Sequence, residues 1–156
     1  MLITVYNKQK DLSLSLTNLK KTLPFLFQHL HVFTDELIVH FVSKKRIQKI
    51  HKDFFSDPTP TDCISFPLDP PRKKPTSSGN HEILGEIFVC PQVALEYAQL
   101  HSRDVYQEVL LYVIHGILHL LGYDDIDPHA RRNMRRMERK CMLLCHSLSL
   151  AKKRLS

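Results

Sequence analysis

Residues 115–125 read His-Gly-Ile-Leu-His-Leu-Leu-Gly-Tyr-Asp-Asp and follow a run, Val109 to Ile114, that is apolar nearly all round. A helix apolar on every side is a buried helix, and an imidazole buried without a partner costs free energy. His115 and His119 are four residues apart, so on that helix they project from one face, one turn apart. A single metal ion satisfies both at this spacing. Gly122 supplies a residue able to leave the helix with positive φ and turn the chain back. Asp124 or Asp125 then arrives from the turn as a third, anionic ligand.

The pair alone proves little. With ten histidines in 156 residues, chance supplies roughly half of one such pair, and two satisfied core histidines would look the same. Gly at +7 and a carboxylate at +10 from His115 tighten the match to the zinc-protease spacing H-E-x-x-H-x-x-G-x-x-H. Two positions depart from it: Gly116 stands where the Glu belongs, and Asp125 where the third His belongs. In peptidases that Glu is the general base, so Gly116 disfavours a metallopeptidase. Glu86 and Asp124 are the candidate bases instead. His129, beside Pro128, rivals Asp125 as third ligand.

Residues 1–156 are of a length for one domain with a real core. The opening Met-Leu-Ile-Thr-Val-Tyr has neither the basic nor the long apolar region of a secretory signal, and no apolar run suffices for a membrane span. Cys63, Cys90, Cys141 and Cys145 lack a disulfide-framework spacing. Cys141, Cys145 and His146 offer a second metal site, but reduced, buried thiols are the simpler reading. The expected compartment is the cytoplasm. The net charge of +6 is concentrated: residues 127–156 carry nine Lys/Arg against Asp127 and Glu138. That surplus points to a polyanionic partner or to a solvated helix face.

Alternation predicts strands at Leu2–Asn7, Glu36–Val42, Cys63–Leu68 and Leu84–Cys90. Helical spacing predicts an amphipathic helix over 12–30, bent or interrupted at Pro24. A second follows the N-cap Ser43, a third begins at Pro91, and a central helix runs from a cap at Asp104 through His119. The last starts at Pro128 and buries Met134, Met137, Cys141, Leu144 and Leu148, with Arg131, Arg135 and Arg139 in one outward basic row. Residues 69–80, rich in Pro and Ser, predict a mobile loop. The sum is an α+β domain with a four-stranded mixed sheet and about five helices.

Three blocks in order resemble the YbeY family of bacterial endoribonucleases. Pro60-Thr61-Asp62-Cys63-Ile64-Ser65-Phe66-Pro67 is similar to the family's P-T-D-V-L-S-F-P, and Leu84-Gly85-Glu86-Ile87 to its L-G-D-I. His115 to Asp124 repeats its H-G-x-L-H-L-L-G-Y-D signature. The resemblance implies a zincin-like fold and a zinc-dependent, single-strand-specific endoribonuclease. It implies one Zn2+ per chain on His115, His119 and Asp125, and work in small-subunit rRNA 3′ maturation and ribosome quality control. RNA and the ribosome or its proteins are the implied partners. Asp125 replaces the family's usual third His; zinc accepts such a carboxylate. Phe55 stands where many members carry Arg, so a phosphate-holding role is either vacant or taken by another residue, with Lys52 and Arg72–Lys74 as candidates by position. A non-catalytic, zinc-stabilised ribosome-assembly factor is the remaining alternative.

Overall fold

A computed structural model describes residues 1–77, 79–147 and 149–152. Leu148, expected in the last buried stripe, lies outside them. The alternating stretches become β1 (Leu2–Asn7), β2 (Glu36–Phe41), β3 (Cys63–Pro67) and β4 (Ile83–Val89) of one sheet in the order β1-β2-β4-β3. β1, β2 and β4 are parallel and β3 runs antiparallel to β4, so the sheet is mixed and β3 forms an edge. The helices are α1 (Leu16–His29), α2 (Lys44–Phe55), α3 (Pro91–His101), α4 (Val105–Leu120) and α5 (Pro128–Leu144).

Four helices begin where a side-chain oxygen satisfies an orphan backbone N–H. Ser15 accepts from Asn18, Ser43 from Arg46, Asp104 from Gln107 and Asp127 from Ala130. The Ser15 cap starts α1 four residues later than its leucine spacing suggests; Leu14 instead bridges Ala151. Pro24 does not interrupt α1. The carbonyl it deprives of a partner belongs to Lys20, an exposed residue.

The period of two decides the two sheet faces. Ile3, Leu37, Val39, Phe41, Ile87 and Val89 turn to one side and form the main core with α1, α4 and α5. Ile64, Phe66 and Phe88 turn to the other, against Ile47 and Ile50 of α2. α4 is the centre of the main core, burying Val109, Leu110, Val113, Ile114, Ile117, Leu118 and Leu120. Each contributes about 1.5–3 kcal/mol of burial, ample to hold a helix that also carries half-buried imidazoles. The loop expected to be mobile is pinned in its first half. Arg72 pairs backbone to backbone with Phe33, and its guanidinium meets Asp35 at 2.9 Å and Glu82 at 3.1 Å. No described helix is long and apolar enough to cross a membrane.

Candidate metal centre

α4 ends in a Schellman turn. Gly122, at φ +96°, donates its N–H to the His119 carbonyl, and Tyr123 donates to that of Leu118. The reversal brings the Tyr123 carbonyl to 3.0 Å from His119 Nδ1. His115 Nδ1 lies 2.6 Å from a carboxylate oxygen of Glu138 on α5. Carbonyl and carboxylate only accept, so both Nδ1 atoms carry protons, and in each neutral ring Nε2 keeps its lone pair. Those two Nε2 atoms face each other at 2.9 Å, rings at 85°.

Asp125 completes the group, with carboxylate oxygens 3.7 Å from His115 Nε2 and 4.0 Å from His119 Nε2. One ligand atom from each of His115, His119 and Asp125 lies within 4.8 Å of the others. Tetrahedral zinc with bonds of about 2.1 Å sets its ligand atoms roughly 3.4 Å apart, within the spread seen here. With both rings neutral, three acceptors converge on one point, where a single cation would satisfy them all. The chemistry of the set fits zinc: two imidazoles, one carboxylate and an open side. Burial pulls the His115 imidazole toward a lower pKa, but the hydrogen bond and charge of Glu138, helped by Asp62 and Asp125, hold it above its ordinary value.

The turn that carries Asp125 is held by its neighbours. Asp124 accepts from the Ile126 N–H at 3.3 Å, and the Arg131 guanidinium donates to the carbonyls of Asp125 and Ile126 at 3.4 and 3.1 Å. Asp124 is thus a turn-former outside the three-residue group. Arg131 buttresses the ligand loop, which qualifies its expected role as an RNA contact. Arg135 and Arg139 are exposed, and Arg135 shares a cavity wall with His115 and Glu138.

His129 is exposed, meets Asn133 one turn along α5 at 3.3 Å, and does not join the group. Glu86 is on the wrong face for a base. Its strand neighbours Gly85 and Ile87 face α4, whereas Glu86 binds His40 at 2.8 Å on the side where α2 packs. Arg72 is committed to the carboxylates of Asp35 and Glu82. Cys141 and Cys145 are buried and unpaired, their thiols pushed up to about 11 chiefly by burial. His146 binds the Leu143 carbonyl, so no second metal group forms among the described residues.

Gly116 has a steric reason. A Cβ there would stand 2.6 Å from Ile87 Cγ2 and 2.8 Å from Cys63 Sγ, while its carbonyl accepts from the Ser65 hydroxyl at 3.1 Å. α4 lies too close to β3 and β4 for a peptidase glutamate at this position. An open cleft of about 470 Å³ leads from the group, with His119 and Asp125 on one wall. Cys63, Ser65 and Pro67 of β3 and His51 and Phe55 of α2 line the rest. Sequence reasoning missed Glu138 and His51. Glu138 is the lone carboxylate of a basic helix, a hint without a local rule; His51 showed no spacing signal.

The family profile of endoribonuclease YbeY matches residues 4–145. An endoribonuclease YbeY of Protochlamydia amoebophila is 43% identical over 150 residues, spanning 96% of this chain and 97% of its own. That of Chlamydia caviae is 38% identical over 146 residues, 90% of each chain. The solution structure of a Thermotoga maritima protein superposes with a TM-score of 0.66 at 28% identity, covering 94% of this chain and 91% of that one. With motif, fold and relatives agreeing along nearly its whole length, the chain belongs to the endoribonuclease YbeY family.

Proposed function

We propose that residues 1–156 form one metal-dependent endoribonuclease domain that cuts single-stranded RNA. One Zn2+ per chain is held by His115, His119 and Asp125. The observation that carries this reading is the convergence of two imidazole lone pairs and a carboxylate on one point at the end of a cleft. A bound zinc supplies Lewis acidity toward a phosphoryl oxygen and a more acidic water. Glu138 orients His115 and the Tyr123 carbonyl orients His119, the arrangement that fixes tautomer and direction in metal-binding histidines. Arg131 keeps the Asp125 turn in register. His51 is the cleft imidazole outside the ligand set, held through Nδ1 by the Thr59 carbonyl at 2.8 Å. It replaces Glu86 and Asp124 as the group to move a proton. Arg135 and Arg139 give the α5 side of the site its positive charge for phosphates.

Small-subunit rRNA 3′ maturation and ribosome quality control in the cytoplasm, with the ribosome or its proteins as partners, follow from the family resemblance. Cleavage of single-stranded, duplex and peptide substrates by zinc-loaded protein separates the readings. The proposal requires cutting of the single strand alone. Peptide cleavage would restore the metallopeptidase, and zinc binding with no cleavage the assembly factor.

A further inference from the structure

Phe54 and Phe55 close α2 with their side chains out in solvent, 68% and 55% exposed. Two adjacent phenylalanines this open call for a partner, and Phe55 lines the same cleft as His119 and Asp125. Both rings are braced from behind. Phe55 lies 6.3 Å from Phe66 at 28° and 5.7 Å from His51; Phe54 meets Phe66 at 4.9 Å. Phe66 in turn stands edge-on to Phe88 at 5.8 Å on the sheet. Ser56, in the left-handed region at φ 56°, ends the helix directly after Phe55. The rings are therefore a fixed platform.

The surroundings select the occupant. α2 carries five Lys/Arg and one Asp. Lys44 is paired with Glu96 and Lys49 with Asp53, while Lys45, Arg46 and Lys52 have no ion-pair partner among the described residues. Lys52 is one turn before Phe55 on the same side of the helix. Across the cleft runs the open edge of β3. The Cys90-to-Asp62 and Leu68-to-Leu84 hydrogen bonds fix the alternation, which turns the backbone N–H and carbonyl of Ser65 away from β4. An aromatic face, unpaired cations and a free polar backbone edge together match a single-stranded polyanion with exposed bases. A duplex offers no free base face.

We propose that Phe55 is a stacking platform for one nucleobase of single-stranded RNA lying in the cleft, with Lys52 meeting a neighbouring phosphate. The proposal deepens the ribonuclease reading and rests on it. Phe55 thereby positions the strand by its base, where an arginine would grip a phosphate.

The test uses the full chain stripped of metal by a chelator, its fold checked by circular dichroism, so that binding is read without cutting. The probes are a single-stranded RNA carrying 2-aminopurine and the same RNA annealed to its complement. Stacking quenches 2-aminopurine fluorescence. Phe55→Ala should weaken single-strand binding roughly 5- to 150-fold, the range for one base stack, and abolish the quench. Phe55→Trp should restore both, and duplex binding should be unaffected by either change. Lys52→Gln should leave the quench intact and lower the salt slope by about one counterion. Unchanged affinity and quench in Phe55→Ala would overturn the proposal and mark the rings as a protein-docking surface. An equal loss on duplex would overturn it too. Failure of the ribonuclease reading is distinguishable: zinc-loaded parent protein would then leave the RNA uncut while quenching persists.

Discussion

His115 and His119 point their Nε2 atoms at each other across 2.9 Å while both Nδ1 atoms are held by acceptors. With both rings neutral, two lone pairs at that distance repel, and a metal ion between them would relieve the repulsion. His119→Ala should therefore abolish stoichiometric zinc binding, measured by metal analysis of the purified protein. Asp125→His should bind zinc at least as tightly as the parent, because it supplies a three-imidazole set of the kind catalytic zinc sites use. Full zinc in His119→Ala would mean that the ion sits elsewhere.

Glu138 reaches His115 from a different helix, 2.6 Å from Nδ1. Glu138→Gln keeps the shape and removes the charge. Zinc affinity should fall about 10- to 100-fold, the usual effect of losing such an outer partner, as read by competition with a chromophoric chelator. The melting temperature of the metal-free chain serves as the control for folding. Unaltered affinity would reduce Glu138 to a packing residue.

Gly116 is closed in by Ile87 and Cys63. Gly116→Ala should destabilise the protein by about 1–3 kcal/mol, the range for overpacking a full core, and Gly116→Glu by more. Urea unfolding of each variant gives the figures. A Gly116→Ala variant as stable as the parent would show that the α4–sheet contact is looser than the distances indicate.

Glu108 is buried beside Arg103, 3.9 Å away. Desolvation raises its pKa above the ordinary 4.5 and outweighs the opposing charges of Arg103 and His101. A carboxyl with a raised folded pKa binds its proton more tightly when folded, so the ionised form at neutral pH costs stability. Glu108→Gln should melt higher than the parent at pH 7, and the difference should vanish toward about pH 4, where both states are protonated. Thermal melts across that range test the sign.

The strands, the caps at Ser43 and Asp104, the apolar α4 and the His115/His119/Asp125 grouping were readable in the sequence because each rests on a local period or spacing. Long-range relations were not. Nothing local assigns Glu86 to a face, since either side of a half-buried strand accepts a carboxylate; pairing with His40 decides it. Arg72 looked like a free cation in a proline-rich loop until Asp35 and Glu82, distant in sequence, claimed it. Glu138 and His51 reach the site only through the packing of α5 and α2. Pro24 does not end α1 because a helix tolerates one missing hydrogen bond.

The most direct measurement titrates zinc into metal-free protein and follows cleavage of a single-stranded RNA. Activity should rise linearly and saturate at one zinc per chain, with His119→Ala inactive at every zinc level. Cleavage that is full without metal, or that survives in His119→Ala, would contradict a ribonuclease site built on His115, His119 and Asp125.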